Sequence, residues 1–291
     1  MPELPEVETI VRDLNKSVLG QKIEDVWSDA KKIVKKPSFG KFKKEIKGKK
    51  IIKVRRRGKN IIFELSGDKI LLIHQKMTGH LLWGKWQFQN KKWVALEKGP
   101  LSEDPMNRFL HLMFEFASGR QLALSDLRKF AKVELWDSND FKKSEYYKSL
   151  GPEPLEKSFV FDKFKAVLPQ KGKIKQVLMD QSVIAGIGNI YADETLWRAK
   201  IHPLRDVPSL KKTELRKIYQ KIKEVLKIAI KLGGESFSDY RRLSGEKGYF
   251  DKERKAYRRT GEKCRRCKTI IKRIKIGGRS AHFCPYCQKL N

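Results

Sequence analysis

The chain has 291 residues, enough for two domains with a core each, and no stretch of it approaches the ~18 to 20 consecutive apolar residues that a membrane span requires. It carries 66 Lys and Arg against 34 Asp and Glu, a formal charge of +32 at pH 7, with 10% aromatic residues; such an excess repels itself in a compact fold unless a polyanion is the partner, which points to nucleic acid first and an anionic membrane surface second. The first twenty residues are acidic and lack an apolar signal core, so export is not expected and a cytoplasmic setting is.

The sequence opens Met1-Pro2-Glu3-Leu4-Pro5-Glu6-Val7-Glu8-Thr9. Removal of Met1 leaves the secondary amine of Pro2 as the terminus. An α-amino group titrates near ~8, well below the ~10.4 of lysine, so a useful fraction is unprotonated and nucleophilic at neutral pH. A secondary amine that adds to an aldehyde-level carbon such as C1′ of a deoxyribose can lose water or a base only to a cationic iminium, which is an electron sink. Glu3 is placed to act as acid or base beside it, with Glu6 and Glu8 within a turn. Pro5 and the acids also suit the start of a helix. That account covers them and leaves Pro2 unexplained.

Val7, Ile10, Val11, Leu14 and Val18 recur at helical spacing before Gly20, predicting an amphipathic helix over 5–19. Short β-branched or aromatic runs follow at 50–57, 60–65, 69–74, 108–116, 121–125 and 129–136, separated by glycine-bearing turns, and predict a β-sandwich. Gly151-Pro152-Glu153-Pro154 ends that pattern. From there to Gly233 the rhythm is helical, most clearly at Leu215, Ile218, Ile222, Val225, Ala229 and Leu232. Residues 235–263 are polar, basic and punctuated by Gly245 and Gly248, the pattern of a mobile loop. The expected organisation is a multi-domain α+β chain: a helix-fronted β-sandwich over 1–136, a linker over 137–155, a helical domain with its loop over 156–257 and a finger over 258–291.

All four cysteines lie in that finger. Cys264-x2-Cys267, sixteen residues, then Cys284-x2-Cys287 has the spacing of a four-cysteine zinc site and not of a disulfide framework. Four sulfurs close the coordination sphere, so one structural Zn2+ is expected. A redox pair would not need two copies, and iron suits the spacing less well. Between the pairs, Gly277-Gly278-Arg279 reads as a hairpin tip projecting an arginine, or as a solvated hairpin. In the run from Val177 to Glu194, Gly186, Gly188 and Asn189 fall at a turn entering a helix, where free N–H groups face a phosphate; glycines kept for helix packing would look the same. Lys59, Met77, Arg128 and Phe130, read alone, are surface and core residues.

Together these segments resemble the formamidopyrimidine-DNA glycosylase family. The resemblance rests on Pro2 to Thr9, Lys59, Met77, residues 126–130, Gly151 to Leu155, residues 178–203 and the four cysteines, and so spans the chain. It implies a helix-two-turn-helix in the helical domain, a zinc ribbon at the end, and a monomer acting on damaged double-stranded DNA. The implied activity is a bifunctional glycosylase and lyase that excises oxidised purines, 8-oxoguanine and formamidopyrimidines, through a Pro2 Schiff base and β,δ-elimination. Glu3 would open the sugar, Glu6 would support it, and Lys59 would hold the lesion phosphate and assist. Met77 and Phe130 would wedge the base stack while Arg128 faces the orphaned cytosine. Lys171, Asn189 and Arg279 would grip the backbone. Two rival readings are an endonuclease VIII-like enzyme for oxidised pyrimidines and a non-catalytic zinc-ribbon nucleic-acid binder. Four positions depart from the family's usual residues: Lys76, Arg258 and Ala131 stand for glycine, and Leu127 for proline. They put lesion preference and opposite-base selectivity in question and leave the nucleophile untouched.

Overall fold

A computed structural model describes residues 1–236 and 239–290. The chain forms two compact units, Met1–Lys148 with Leu232–Asp251, and Ser149–Lys231 with Lys252–Asn291. In the first unit, α1 (Leu4–Ser17) precedes β1 (Ile23–Trp27), β2 (Val34–Lys36), α2 (Phe39–Ile46), β3 (Ile51–Arg57), β4 (Asn60–Leu65) and β5 (Lys69–His74). Then come β6 (His80–Gly84), β7 (Trp86–Gln89), β8 (Lys92–Ala95), α3 (Pro100–Glu103), β9 (Leu110–Phe116), β10 (Gln121–Ser125), β11 (Lys132–Asp137), α4 (Ser138–Lys143) and α5 (Glu145–Lys148).

Two sheets share one core, which is the expected sandwich. One has the order β1-β9-β10-β6 and the other β2-β11-β5-β4-β3, antiparallel except where β2 meets β11. The two-residue period of a strand decides what each side chain meets. Ile61, Phe63, Leu71 and Ile73 enter the shared core with Phe114, Leu122, Leu124 and the α1 residues Val7, Ile10 and Leu14. Their neighbours Ile62, Ile70 and Leu72 face the other way, onto Phe141 of α4. On the opposite sheet Leu82, Met113 and Ala123 turn outward to Trp86 and Leu101, so both sheets are covered on both faces. Double coverage explains why the strands read as near-continuous apolar runs.

The six expected strands form, with two ends trimmed by local geometry. The strand expected from 108 begins at Leu110 because Pro105–Arg108 closes a 3-10 turn, and the one expected from 129 begins at Lys132 because Lys129 is left-handed at φ 55°. β1, β2, β6 and the β7–β8 hairpin were not legible in the periodicity, being only three to five residues long.

The second unit contains α6 (Phe161–Ala166), α7 (Ile174–Met179), α8 (Asn189–Ala199), α9 (Lys212–Lys231) and the hairpin β12 (Lys272–Ile276) and β13 (Arg279–Phe283). Glu194 of α8 is fully buried. Its carboxylate accepts the backbone N–H groups of Lys255, Ala256 and Tyr257 at 2.9 to 3.0 Å and the Arg198 guanidinium at 2.5 Å, which fastens the chain entering the finger.

Residues 232–251 pack with the first unit, whereas the sequence reading groups them with the helical domain. The expected mobile loop includes residues 237 and 238, which lie outside the described residues. The neighbouring part is held by the sandwich: Leu243 is buried in its core and its carbonyl accepts the Trp83 N–H at 2.9 Å. Arg241 grips the Asp104 carboxylate at 2.6 and 3.0 Å, and Asn107 Nδ2 donates to the carbonyls of Pro100 and Gly245. With that amide nitrogen committed, Asn107 Oδ1 is an acceptor, so His80 Nε2, 3.0 Å away, carries the proton.

Burial pushes His80 down to about 4, against the opposing bond to Asn107. Between pH 6.5 and about 4 the unfolded chain binds a proton there that the folded chain does not. Stability of the first unit should therefore fall as pH drops through that window, by about 1.4 kcal/mol per pH unit for each such histidine. Denaturant melts from pH 7.5 to 5 should show this slope, and His80→Gln should remove one histidine's share of it while lowering stability at pH 7.5, leaving the share of His74, which is also held down, to about 3.

Candidate active site and nucleic-acid interface

Pro2 is buried, and Glu3 caps α1 in a reciprocal capping box with Glu6. Glu3 N–H donates to Glu6 Oε2 at 2.7 Å, and Glu6 Oε1 accepts the Glu235 N–H at 2.8 Å. The Tyr240 hydroxyl donates to the Glu6 carbonyl at 3.3 Å. Gly234 makes this approach feasible: its φ is 85°, and a Cβ there would lie 2.8 Å from Glu6 Oε1. Glu3 and Glu6 are 3% and 1% exposed. The α-amine of Met1 is held below its ordinary value by burial, opposed by the carboxylates of Glu3, Glu6 and Asp239 and reinforced by Lys59. The structure thus brings Glu3, Glu6 and Lys59 around the amino terminus. Asp239 is a further acid there that the sequence reading missed, since nothing local to it signals the terminus.

Lys59 is buried beside the β3–β4 turn. His74, at the end of β5, is pushed down to about 3 by burial and then by Lys76, Lys59 and Lys132, so three cations crowd one neutral imidazole. Its Nδ1 accepts the Lys76 N–H at 3.0 Å.

Met77, Arg128 and Phe130 sit on two loops pinned together by Asp126, which is fully buried. Its carboxylate accepts the Thr78 hydroxyl, the Arg128 N–H at 3.3 Å and the Ala131 N–H at 2.8 Å. The Arg128 N–H also reaches Thr78 Oγ1 at 3.1 Å. Phe130 is half exposed with the Arg128 guanidinium 4.5 Å over its ring, and Met77 is half-buried. Asp126 and Thr78 therefore fix the two loops that carry Met77, Arg128 and Phe130, a role their residue types alone did not announce. Of the departures, Ala131 is buried at a position without strain, Leu127 is exposed next to Arg128, and Lys76 and Arg258 are left-handed at φ 54° and 55°, a conformation costing about 1–2 kcal/mol for a residue with a Cβ.

In the second unit, Lys171 is exposed three residues before α7, and Asn189 opens α8 behind Gly188. Gln181 braces the turn between these helices: its Nε2 donates to the Met179 and Ile187 carbonyls at 2.8 and 2.7 Å, and its Oε1 accepts the Gly186 N–H at 2.9 Å. Asn189 Oδ1 is buried without a hydrogen-bond partner among the described residues. Arg279 is exposed at the hairpin tip, after Gly277 and Gly278 at φ 52° and 76°. The four cysteine sulfurs lie within 4.8 Å of one another. Tetrahedral zinc with bonds of ~2.3 Å needs sulfurs ~3.8 Å apart, and the Cys267 and Cys284 sulfurs, 3.4 Å apart, are far beyond disulfide length. The donor set fits one closed, structural zinc.

The described architecture is that of a modular DNA-repair glycosylase: residues 1–133 match the model of the formamidopyrimidine-DNA glycosylase N-terminal domain, 150–241 its H2TH domain, and 261–290 a zinc finger found in FPG and IleRS. The formamidopyrimidine-DNA glycosylase of Streptococcus thermophilus (strain CNRZ 1066) is 38% identical over 99% of this chain and 100% of its own length, and that of Herpetosiphon aurantiacus is 40% identical over 99% and 100%. A point mutant of the Lactococcus lactis FPG, solved with Fapy-dG-containing DNA, superposes with a TM-score of 0.87 at 38% identity, covering 99% of this chain and 100% of that one. MutM bound to DNA containing carbocyclic 8-oxo-G superposes at 0.85, also at 38% identity, with the same coverage. The chain belongs to the formamidopyrimidine-DNA glycosylase family.

Removing the metal tests the finger. Chelation should release one zinc per chain and unfold the Cys264–Cys287 ribbon, leaving the sandwich melting transition in place and DNA binding weakened. Metal analysis and circular dichroism before and after chelation check this.

Proposed function

We propose that this protein is a monomeric DNA glycosylase and abasic-site lyase of base excision repair, acting on oxidised purines in duplex DNA in the cytoplasm, at the nucleoid. The observation that carries the reading is the convergence of Glu3, Glu6 and Lys59 on the amino terminus, whose amine is held below its ordinary value. With Met1 removed, Pro2 inherits that setting as the nucleophile. Its nitrogen attacks C1′ of the flipped lesion nucleotide, the base departs, and Glu3 protonates the ring oxygen so that the sugar opens to an iminium. The cation acidifies the C2′ proton, whose loss expels the 3′ phosphate; loss of a C4′ proton from the conjugated iminium then expels the 5′ phosphate, and water releases the sugar remnant from Pro2.

Glu6, with its carboxylate committed to two backbone N–H groups, serves by positioning Glu3. Lys59 holds the lesion phosphate, Met77 and Phe130 fill the vacated stack, and Arg128 faces the orphaned base. Lys171, Asn189 and Arg279 hold the backbone; rotating the Asn189 amide turns a donor toward a phosphate. We keep 1–136, 156–257 and 258–291 as the functional domains, joined by 137–155, with residues 232–251 a part of the second that packs on the first.

Borohydride should trap a covalent adduct on abasic-site DNA, and mass spectrometry should place it on the terminal proline. An adduct on a lysine, or none from fully processed protein, would sink the mechanism. Glu3→Gln should slow base release by at least about a hundredfold, the usual worth of a general acid, with DNA affinity nearly unchanged.

The guanidinium donors of Arg128 suit the O2 and N3 acceptors of cytosine and meet adenine poorly. Single-turnover excision of 8-oxoguanine should be faster opposite cytosine than opposite adenine by roughly 5- to 150-fold, the range of a lost specific contact. Arg128→Ala should erase most of that ratio while sparing abasic-site cleavage. Thymine glycol is the control, and its faster turnover would reassign the substrate to oxidised pyrimidines.

A further inference from the structure

Asp193 lies on α8 four residues after Asn189, on the same face one turn in. It is 1% exposed. Its Oδ1 accepts the Lys175 ammonium at 2.5 Å, and its Oδ2 accepts both the backbone N–H of His282 at 3.0 Å and the His282 ring at Nδ1, 2.8 Å away. Lys175, on α7 and equally buried, donates a second bond to the Ser280 carbonyl at 2.7 Å. Both anchored residues are on β13, where Ser280 directly follows Arg279. Gln176 lies beneath the hairpin tip, so close that a Cβ on Gly277 would stand 2.3 Å from its Nε2.

Two opposite charges buried this deeply lose their hydration, and apolar residues of similar volume would often pack at least as stably. What an ion network adds is register. It accepts one arrangement of donors and acceptors and penalises the alternatives, whereas an apolar contact slides. Here the arrangement joins α7 and α8 to the strand that begins with the exposed arginine, through an acid one turn from the asparagine at the α8 N-terminus.

We propose that Asp193, with Lys175 and His282, is a positioning residue that sets Arg279 for its phosphate contact and so fixes the spacing between the Arg279 and Asn189 grips on one DNA backbone. This rests on the reading of Arg279 as a phosphate contact. Asp193 does not touch DNA; it acts through the arginine. Its loss should therefore matter only while Arg279 is present.

The test is a double-mutant cycle of Asp193→Asn and Arg279→Ala. It is read as affinity for duplex DNA carrying a tetrahydrofuran abasic-site analogue across a salt series, with zinc content measured for each protein. Arg279→Ala should weaken binding about tenfold and lower the salt slope by about one phosphate contact. Asp193→Asn should keep one zinc, weaken binding up to the same factor, lower the slope likewise, and add nothing in the Arg279→Ala background. Equal losses from Asp193→Asn in both backgrounds, or wild-type affinity and slope for that variant, would overturn the positioning role alone. Wild-type affinity for Arg279→Ala would overturn the phosphate reading and the proposal with it. Should Asp193→Asn lose zinc or fail to fold, His282→Gln, which leaves the Lys175–Asp193 pair in place, carries the same cycle with the same criteria.

Discussion

Two backbone N–H groups meet on one carboxylate in the first unit, and much of the candidate catalytic geometry depends on that meeting. Glu6 holds Glu3 by one oxygen and Glu235, 229 residues further along, by the other. A buried carboxylate is stable only when its lone pairs are filled, so the helix start and the distant segment hold each other. Gly234 belongs to the same constraint, because a side chain there would stand in the carboxylate's place. The amino terminus is thereby set within the electrostatic reach of Glu3, Glu6 and Lys59.

The second unit solves a related problem with two adjacent acids. Glu194 collects the backbone entering the finger, and Asp193 collects the hairpin strand and a buried lysine. A zinc ribbon of this size buries too little apolar surface to define its own orientation. Metal closes its turns, and the acids of α8 decide where those turns are held. The exposed arginine at the tip is consequently a property of the helix as well as of the hairpin.

Positive charge is placed at a local expense. Lys76, Lys129 and Arg258 adopt left-handed backbone at φ 54°, 55° and 55°, where glycine would be free of strain. Lys76 also joins Lys59 and Lys132 around a histidine that their charges help keep neutral. Like charges gathered in this way raise the energy of the free protein and lower it against a polyanion. The crowding fits a surface shaped for phosphate.

Periodicity and spacing alone determined the amphipathic first helix, the sandwich class, the break at Gly151, the long α9 helix and the four-cysteine site, because each of these is written in residues close together in the chain. The chemistry proposed for the Pro2-Glu3 terminus rests on the position of one secondary amine in the sequence. Tertiary structure decided the rest. Short strands such as β6 carry too few residues to show a period, and the placement of residues 232–251 depends on Glu6, Asp104 and Asn107, which lie in remote segments. Asp126 and Asp193 read as ordinary acids until burial and partners from other elements gave them their roles. A buried carboxylate's function lies in which N–H groups reach it, and that choice is made by chain segments up to 229 residues apart, which only the folded backbone brings together.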